Sequence, residues 1–169
     1  MKSYASRKTF LSLIIVATVL CPVEGQQRSS KSLAESNALL GNISSKGAAA
    51  VVKSLNRGNG GEWQRVIRNI ETGSPAWLRV ANKLLTATDA GRTSDVYFAL
   101  SLALTRNAAG VLSMVGPNVL VDRICSVPYI EPDEKTVRTY RLRARSAISK
   151  VTSAGLDPQK KACLNAVDQ

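Results

Sequence analysis

Residues 63–85 read WQRVIRNIETGSPAWLRVANKLL. Trp63, Val66, Ile67 and Ile70 stand at i, i+3, i+4 and i+7, while Gln64, Arg65, Arg68 and Asn69 fall elsewhere around the turn, so one helical face is apolar and the other wet. Gly73-Ser74-Pro75 then supplies a C-terminal cap, an N-cap and a proline suited to a first helical turn. Trp77, Val80, Ala81, Leu84 and Leu85 repeat the spacing. Two amphipathic helices with a three-residue joint make a helical hairpin. Both tryptophans lie on the apolar faces and are expected in the core rather than on a ligand platform.

The pattern extends in both directions. Upstream, Lys46 to Arg57 carries a short helix, ended by the turn Gly58-Asn59-Gly60-Gly61. Downstream, after the turn Thr86 to Arg92, Thr93 or Ser94 is the expected N-cap of a run, Val96 to Leu104, that only Ser101 interrupts. Apolar on nearly every side, this run predicts the central buried helix. Asn107 ends it, and a shorter helix through Val111, Leu112 and Val115 stops at Gly116-Pro117. A further turn through Val119, Leu120 and Ile124 delivers Cys125. Pro128 and Pro132 make Ser126 to Asp133 a loop, with Pro132 or Asp133 opening what reads as the longest helix. Val137, Tyr140, Ala144, Ile148 and Val151 share its inner face, Gly155 closes it, and Asp157-Pro158 starts a last helix carrying Cys163. Nothing alternates apolar and polar between hairpin turns, so no sheet is expected. The expected fold class is all-α, a compact bundle of about six to eight short helices built from helical hairpins in a HEAT-like arrangement.

At the amino terminus Lys2, Arg7 and Lys8 precede the apolar or small stretch Phe10 to Leu20. Eleven residues fall short of the roughly 20 that a membrane helix needs. With Pro22 and Val23-Glu24-Gly25 following, residues 1–25 read as a secretory signal peptide cleaved after Gly25. Lipidation at Cys21 is the alternative, and the bulky Leu20 before it argues against that site. No second stretch is long enough to stop transfer, so no integral membrane span is expected after cleavage. Residues 26–45, rich in Ser, Gln, Asn and Lys, read as a flexible polar lead-in, and 46–169 as a single helical domain. Asn42-Ile43-Ser44 matches a glycosylation acceptor, which would matter in a eukaryotic secretory pathway.

Lys2, Arg7, Lys8 and Glu24 leave with the signal, which lowers the net charge from +11 to +9. An excess of that size points to an acidic partner protein or an anionic envelope component, or to a solvated surface that keeps the chain soluble. An exported chain rarely meets nucleic acid, so none is expected as a partner. Removal of Cys21 leaves Cys125 and Cys163, which in an oxidising compartment most simply form one disulfide. The expected location is periplasmic or secreted.

The chain contains no histidine, which removes the commonest general base and the usual nucleophile arrangements. Two separated cysteines provide no zinc site, so neither metal nor cofactor is expected and the chain reads as a non-enzyme. Glu131, Asp133 and Glu134 cluster before a helix, as helix starts commonly do. The turn Thr88 to Asp95 gathers Asp89, Arg92, Thr93 and Asp95, and a capping role for Asp89 and Thr93 accounts for it. The candidate partner-binding residues are Arg138, Arg141 and Arg145, at i, i+3 and i+7 beside the apolar face, with Arg143 and Lys150 on the other flank. Guanidinium forks suit carboxylates and phosphates. Glu134 can neutralise Arg138 at i, i+4, and Lys160 and Lys161 extend the row if the disulfide folds the last helix back.

The export signal, small helical body, absence of catalytic groups and single late disulfide resemble the helical periplasmic immunity proteins that protect bacteria against type VI secretion amidase toxins. The resemblance is one of architecture and carries over no individual residue. It implies a binder that plugs a toxin's active site, usually as a homodimer. The alternative is an envelope-associated structural or accessory factor of a secretion or surface assembly.

Overall fold

The computed structural model describes residues 24–168. The expected signal peptide, with Cys21, lies outside them except for its last two residues. Among the described residues the elements are α1 (Glu24–Lys46), α2 (Ala48–Leu55), α3 (Gly61–Ile70), α4 (Pro75–Leu84), α5 (Ala90–Leu104), α6 (Ala108–Leu112), α7 (Val121–Cys125), α8 (Glu134–Ser149), a 3-10 turn (Ala154–Leu156) and α9 (Asp157–Val167). They contain no strand, and one isolated bridge between Gly116 and Val119 closes a turn.

The apolar helix α5 is the axis. It packs against α3, α4, α6, α7 and α8, and Val96, Ala99, Leu100, Ala103 and Leu104 are completely buried. It starts earlier than expected. The N-cap is Asp89, whose Oδ1 accepts from the Arg92 N–H at 2.9 Å, rather than Thr93 or Ser94. Thr93 instead meets the Thr88 hydroxyl at 2.7 Å. Several capping residues compete here, and the one in extended backbone that reaches the third helical N–H prevails.

The hairpin forms as α3 and α4. Trp63 and Trp77 are buried, and each indole N–H has an acceptor: Trp63 donates to Asp95 Oδ2 at 2.7 Å and Trp77 to Ser32 Oγ at 2.8 Å. Between the helices Gly73 takes φ 71°, and a Cβ there would meet Asn107 Cβ at 3.0 Å and the Ala103 carbonyl at 3.3 Å. Asn107 uses both ends of its amide, donating to the Gly73 carbonyl at 2.7 Å and accepting from the Gly110 N–H that begins α6 at 2.9 Å. The hairpin corner and the end of α5 are thus fastened at one residue.

Residues 26–45, expected to be a flexible lead-in, are helical. They lie in α1, which at 23 residues is also longer than α8. Weak helix propensity is overridden by packing against α4 and α2. Ile43 is buried, Leu39 and Leu40 pack against the core from its edge, and Ser36 is buried with its hydroxyl donating to the Leu33 carbonyl at 2.8 Å. At the other end of the chain α8 stops at Ser149, short of Gly155, and Asp157 enters α9 without a side-chain cap bond.

Cys125 and Cys163 form the expected disulfide, with Cα atoms 5.3 Å apart and both residues fully buried. It joins α7 to α9, which also pack on each other.

Three outcomes follow from these contacts. Backbone amides from Ser32 to Ile43 should resist hydrogen exchange, whereas a flexible segment would exchange at once. Gly73→Ala should lower stability by about 1–3 kcal/mol in denaturant titration, because a side chain at that positive φ is strained. The double variant Cys125→Ala/Cys163→Ala should lose roughly 4 kcal/mol by the chain-entropy argument for a 38-residue loop.

Candidate functional site

α8 is placed by contacts at both ends and in its middle. Asp133 caps its start, Oδ1 accepting from the Thr136 N–H at 2.6 Å. That bond holds the Asp133 carboxyl below the usual carboxylate range. In the middle, Tyr140, Ala144 and Ile148 are buried, and the Tyr140 hydroxyl donates to the Ser101 carbonyl of α5 at 3.2 Å. Burial pushes the Tyr140 phenol well above its usual pKa, so it remains a donor. At the end, Lys160 Nζ donates to the Val151 and Ser149 carbonyls at 2.7 and 3.2 Å. A cation at a helix C-terminus is favourable. Lys160 therefore anchors α8 rather than extending the arginine row.

The outer surface of α8 divides into two flanks. On one, Arg138, Arg141 and Arg145 line a depression of about 400 Å³ with Pro132, Val137 and Leu142, so the three sequence-predicted arginines do come together. Their charges are not equivalent. Arg145 pairs with Asp168 beyond α9, and that hydrogen bond, with the carboxylate's charge, raises its pKa. Arg138 is exposed, and Glu134 lines the same depression without forming the expected i, i+4 ion pair. Arg141 is half-buried, its Nε shielded from solvent with no protein acceptor. On the other flank Arg143 and Lys135 face Arg106 across a second cleft.

Beside the arginine flank stands the loop 126–133. Ile130 at its tip is 96% exposed, and Glu131 next to it takes φ 48°. Neither freedom nor floppiness accounts for that exposure. Pro128 and Pro132 restrict the backbone, the preceding Cys125 is locked in the disulfide, and the Tyr129 ring packs edge-on against both Phe98 and Tyr140 at 6.0 and 6.2 Å. Leu142, between the arginines, is 64% exposed. A large aliphatic side chain exposed on a braced loop whose Pro132 also lines the arginine depression is suited to anchor an interface. The sequence carried a signal for it, an isoleucine between two prolines where a loop would ordinarily be polar.

Three of the five carboxylates weighed for chemistry, Asp89, Asp95 and Asp133, have structural bonds. Asp89 and Asp133 are caps. Asp95 accepts from Trp63 and from Arg92 Nη1 at 3.2 Å, while the Arg92 guanidinium lies 5.2 Å above the Trp63 ring. Among the described residues no group of three or more His, Cys, Asp or Glu could hold a metal ion, and no helix is long and apolar enough to cross a membrane.

No family model, curated protein or solved structure matches the chain. The functional reading therefore rests on the site.

The cap at Asp133 has a pH signature. Its folded pKa is depressed, so its contribution is present above the pKa of the unfolded chain and disappears as pH falls through the lower folded value. Asp133→Asn, which keeps a capping oxygen but cannot titrate, should show a shallower loss of stability between pH 5 and pH 2 than the parent, read by urea midpoints across that range.

Proposed function

We propose that this protein is an exported, non-enzymatic binding protein that docks an acidic partner protein through the loop carrying Ile130 and the flank of Arg138 and Arg141. The observation that carries the reading is Ile130, almost wholly solvent-exposed on a loop braced by two prolines, an aromatic cluster and the neighbouring disulfide. A loop ordered in advance loses little backbone freedom when its isoleucine enters a partner's pocket, so more of that burial appears as affinity. Arg138 and Arg141, which share their depression with Pro132 of the same loop, select carboxylates over neutral surface, and the overall positive charge speeds encounter with such a partner. Arg145, paired with Asp168, contributes less than its spacing suggested.

The buried disulfide supports an oxidising compartment, in keeping with the amino-terminal signal. An immunity-like role fits a small domain that presents one rigid anchor beside cations, since such an anchor can occupy the cleft of a toxin. The chain's own contribution is then occlusion, with no group transfer.

The test is capture from envelope extract by the purified protein and by two variants, Ile130→Asp and Arg138→Glu/Arg141→Glu. One stoichiometric protein should be captured, and each variant should weaken its binding by at least about 30-fold, the equivalent of roughly 2 kcal/mol at an interface anchor. Ile130 and Arg138 are exposed and Arg141 is half-buried, so circular dichroism of each variant is the check that it remains folded. Capture that survives both variants would overturn the reading. So would a partner that is a second copy of this chain, which sedimentation velocity of the purified protein detects directly.

A further inference from the structure

The opposite flank of α8 closes a cleft of about 500 Å³ against the carboxyl end of α5 and Tyr129. Three cations converge on it from two parts of the chain, Arg106 just beyond α5 and Lys135 and Arg143 from α8. Among the described residues the ion pairs are Arg92–Asp95 and Arg145–Asp168, so none of these three has a carboxylate partner. Arg106 is held in place by one guanidinium N–H donated to the Glu71 carbonyl at 3.0 Å, which leaves its other donors available. The single acid lining the cleft, Asp133, is already committed to capping α8.

Three cations against one carboxylate leave an excess of positive charge in the cleft, which favours an anion. The remaining lining narrows its chemistry. Thr136 supplies a hydroxyl, Thr105 and Thr139, whose hydroxyls donate to the Leu102 and Lys135 carbonyls, supply acceptor oxygens, and the Tyr129 ring forms a half-exposed aromatic wall fixed edge-on by Phe98 and Tyr140. A lone phosphate would fill a small part of this volume and leave the aromatic wall unused. A sugar ring uses all of it: one apolar face against the tyrosine, hydroxyls toward threonines, and acidic substituents toward the guanidinium and ammonium groups. We propose that this cleft binds an acidic saccharide, a sugar bearing carboxylate groups, with Arg106, Lys135 and Arg143 holding the carboxylates and Tyr129 the ring. The site lies on the other side of α8 from the partner-docking flank and stands whether or not that docking occurs.

The experiment is calorimetric and NMR titration of the purified protein with three probes: tetragalacturonate, neutral maltotetraose and inorganic phosphate. Saturable binding is expected for tetragalacturonate, with amide shifts at Arg106, Tyr129, Lys135 and Arg143, and much weaker binding for the other two. Arg143→Gln and Lys135→Gln should each weaken it about tenfold, the loss of one charged hydrogen bond. Lys161→Gln, which removes the same charge from an exposed site on α9, should not. Tyr129→Phe should bind nearly as well as the parent and Tyr129→Ala poorly, with near-ultraviolet circular dichroism confirming that each remains folded. The proposal fails if tetragalacturonate does not saturate, if phosphate binds as tightly, or if Lys161→Gln weakens binding as much as Arg143→Gln. Failure here leaves the Ile130 and Arg138 variants of the partner test untouched.

Discussion

A helical run that is apolar around nearly its whole circumference has no stable place at a surface, and Val96 to Leu104 of α5 is such a run. Five other helices cover it. Each large aliphatic side chain it buries, Val96, Leu100 and Leu104 among them, contributes about 1.5–3 kcal/mol against exposure. The polar groups carried inside with it are all answered. The Ser101 hydroxyl donates to the Tyr97 carbonyl at 3.0 Å and comes within 3.4 Å of the Arg123 carbonyl of α7. The Tyr97 hydroxyl donates to the Asn118 carbonyl at 3.1 Å and accepts from the Leu120 N–H at 3.2 Å. Left unanswered, a buried group of this kind would cost about 1–3 kcal/mol. These bonds also carry position outward. Because Tyr140 of α8 reaches the Ser101 carbonyl, the basic helix is set by a hydrogen bond to the core and not by its own charges.

The elements that were legible in the sequence are those whose own residues state which side is buried. Trp63, Val66, Ile67 and Ile70 repeat at helical spacing and all four are buried, as are Tyr140, Ala144 and Ile148 on α8. Gly73 and Pro75 marked the corner between α3 and α4 because left-handed backbone and a fixed φ each admit few residue types. The first helix was illegible for the opposite reason. Ser32, Ser36 and Ile43 make a thin stripe with little propensity behind it; α4 and α2 recruit it by packing, and Ser32 finds its partner in the Trp77 indole, 45 residues away. No local pattern encodes a partner at that distance.

The same distinction runs through the site. Spacing alone placed Arg138, Arg141 and Arg145 together, since helical geometry is local. It could not show that Asp168, 23 residues on, would neutralise Arg145, or that Lys160 would turn inward to cap α8. Nor could it place Arg106 opposite Lys135 and Arg143, which requires α5 and α8 to pack side by side. Charge on a surface is read from composition, but which charges remain unpaired is a tertiary fact.

Covalent connectivity then explains why both binding surfaces belong to one half of the molecule. The Cys125–Cys163 bond encloses 38 residues of chain, and within them lie Ile130, the whole of α8 and five of the six arginines and lysines that line its two flanks, Arg106 being the exception. The loop 126–133 has no buried residue of its own, so without that closure its stiffness would depend on its two prolines and on Tyr129 packing. A crosslink acts chiefly by restricting the unfolded and partly opened chain, and here the restricted part is the one that must hold an isoleucine and a set of unpaired cations in water. The half built from α1 to α5 needs less such restraint, because most of its large apolar side chains are buried and the hydrophobic effect holds them there.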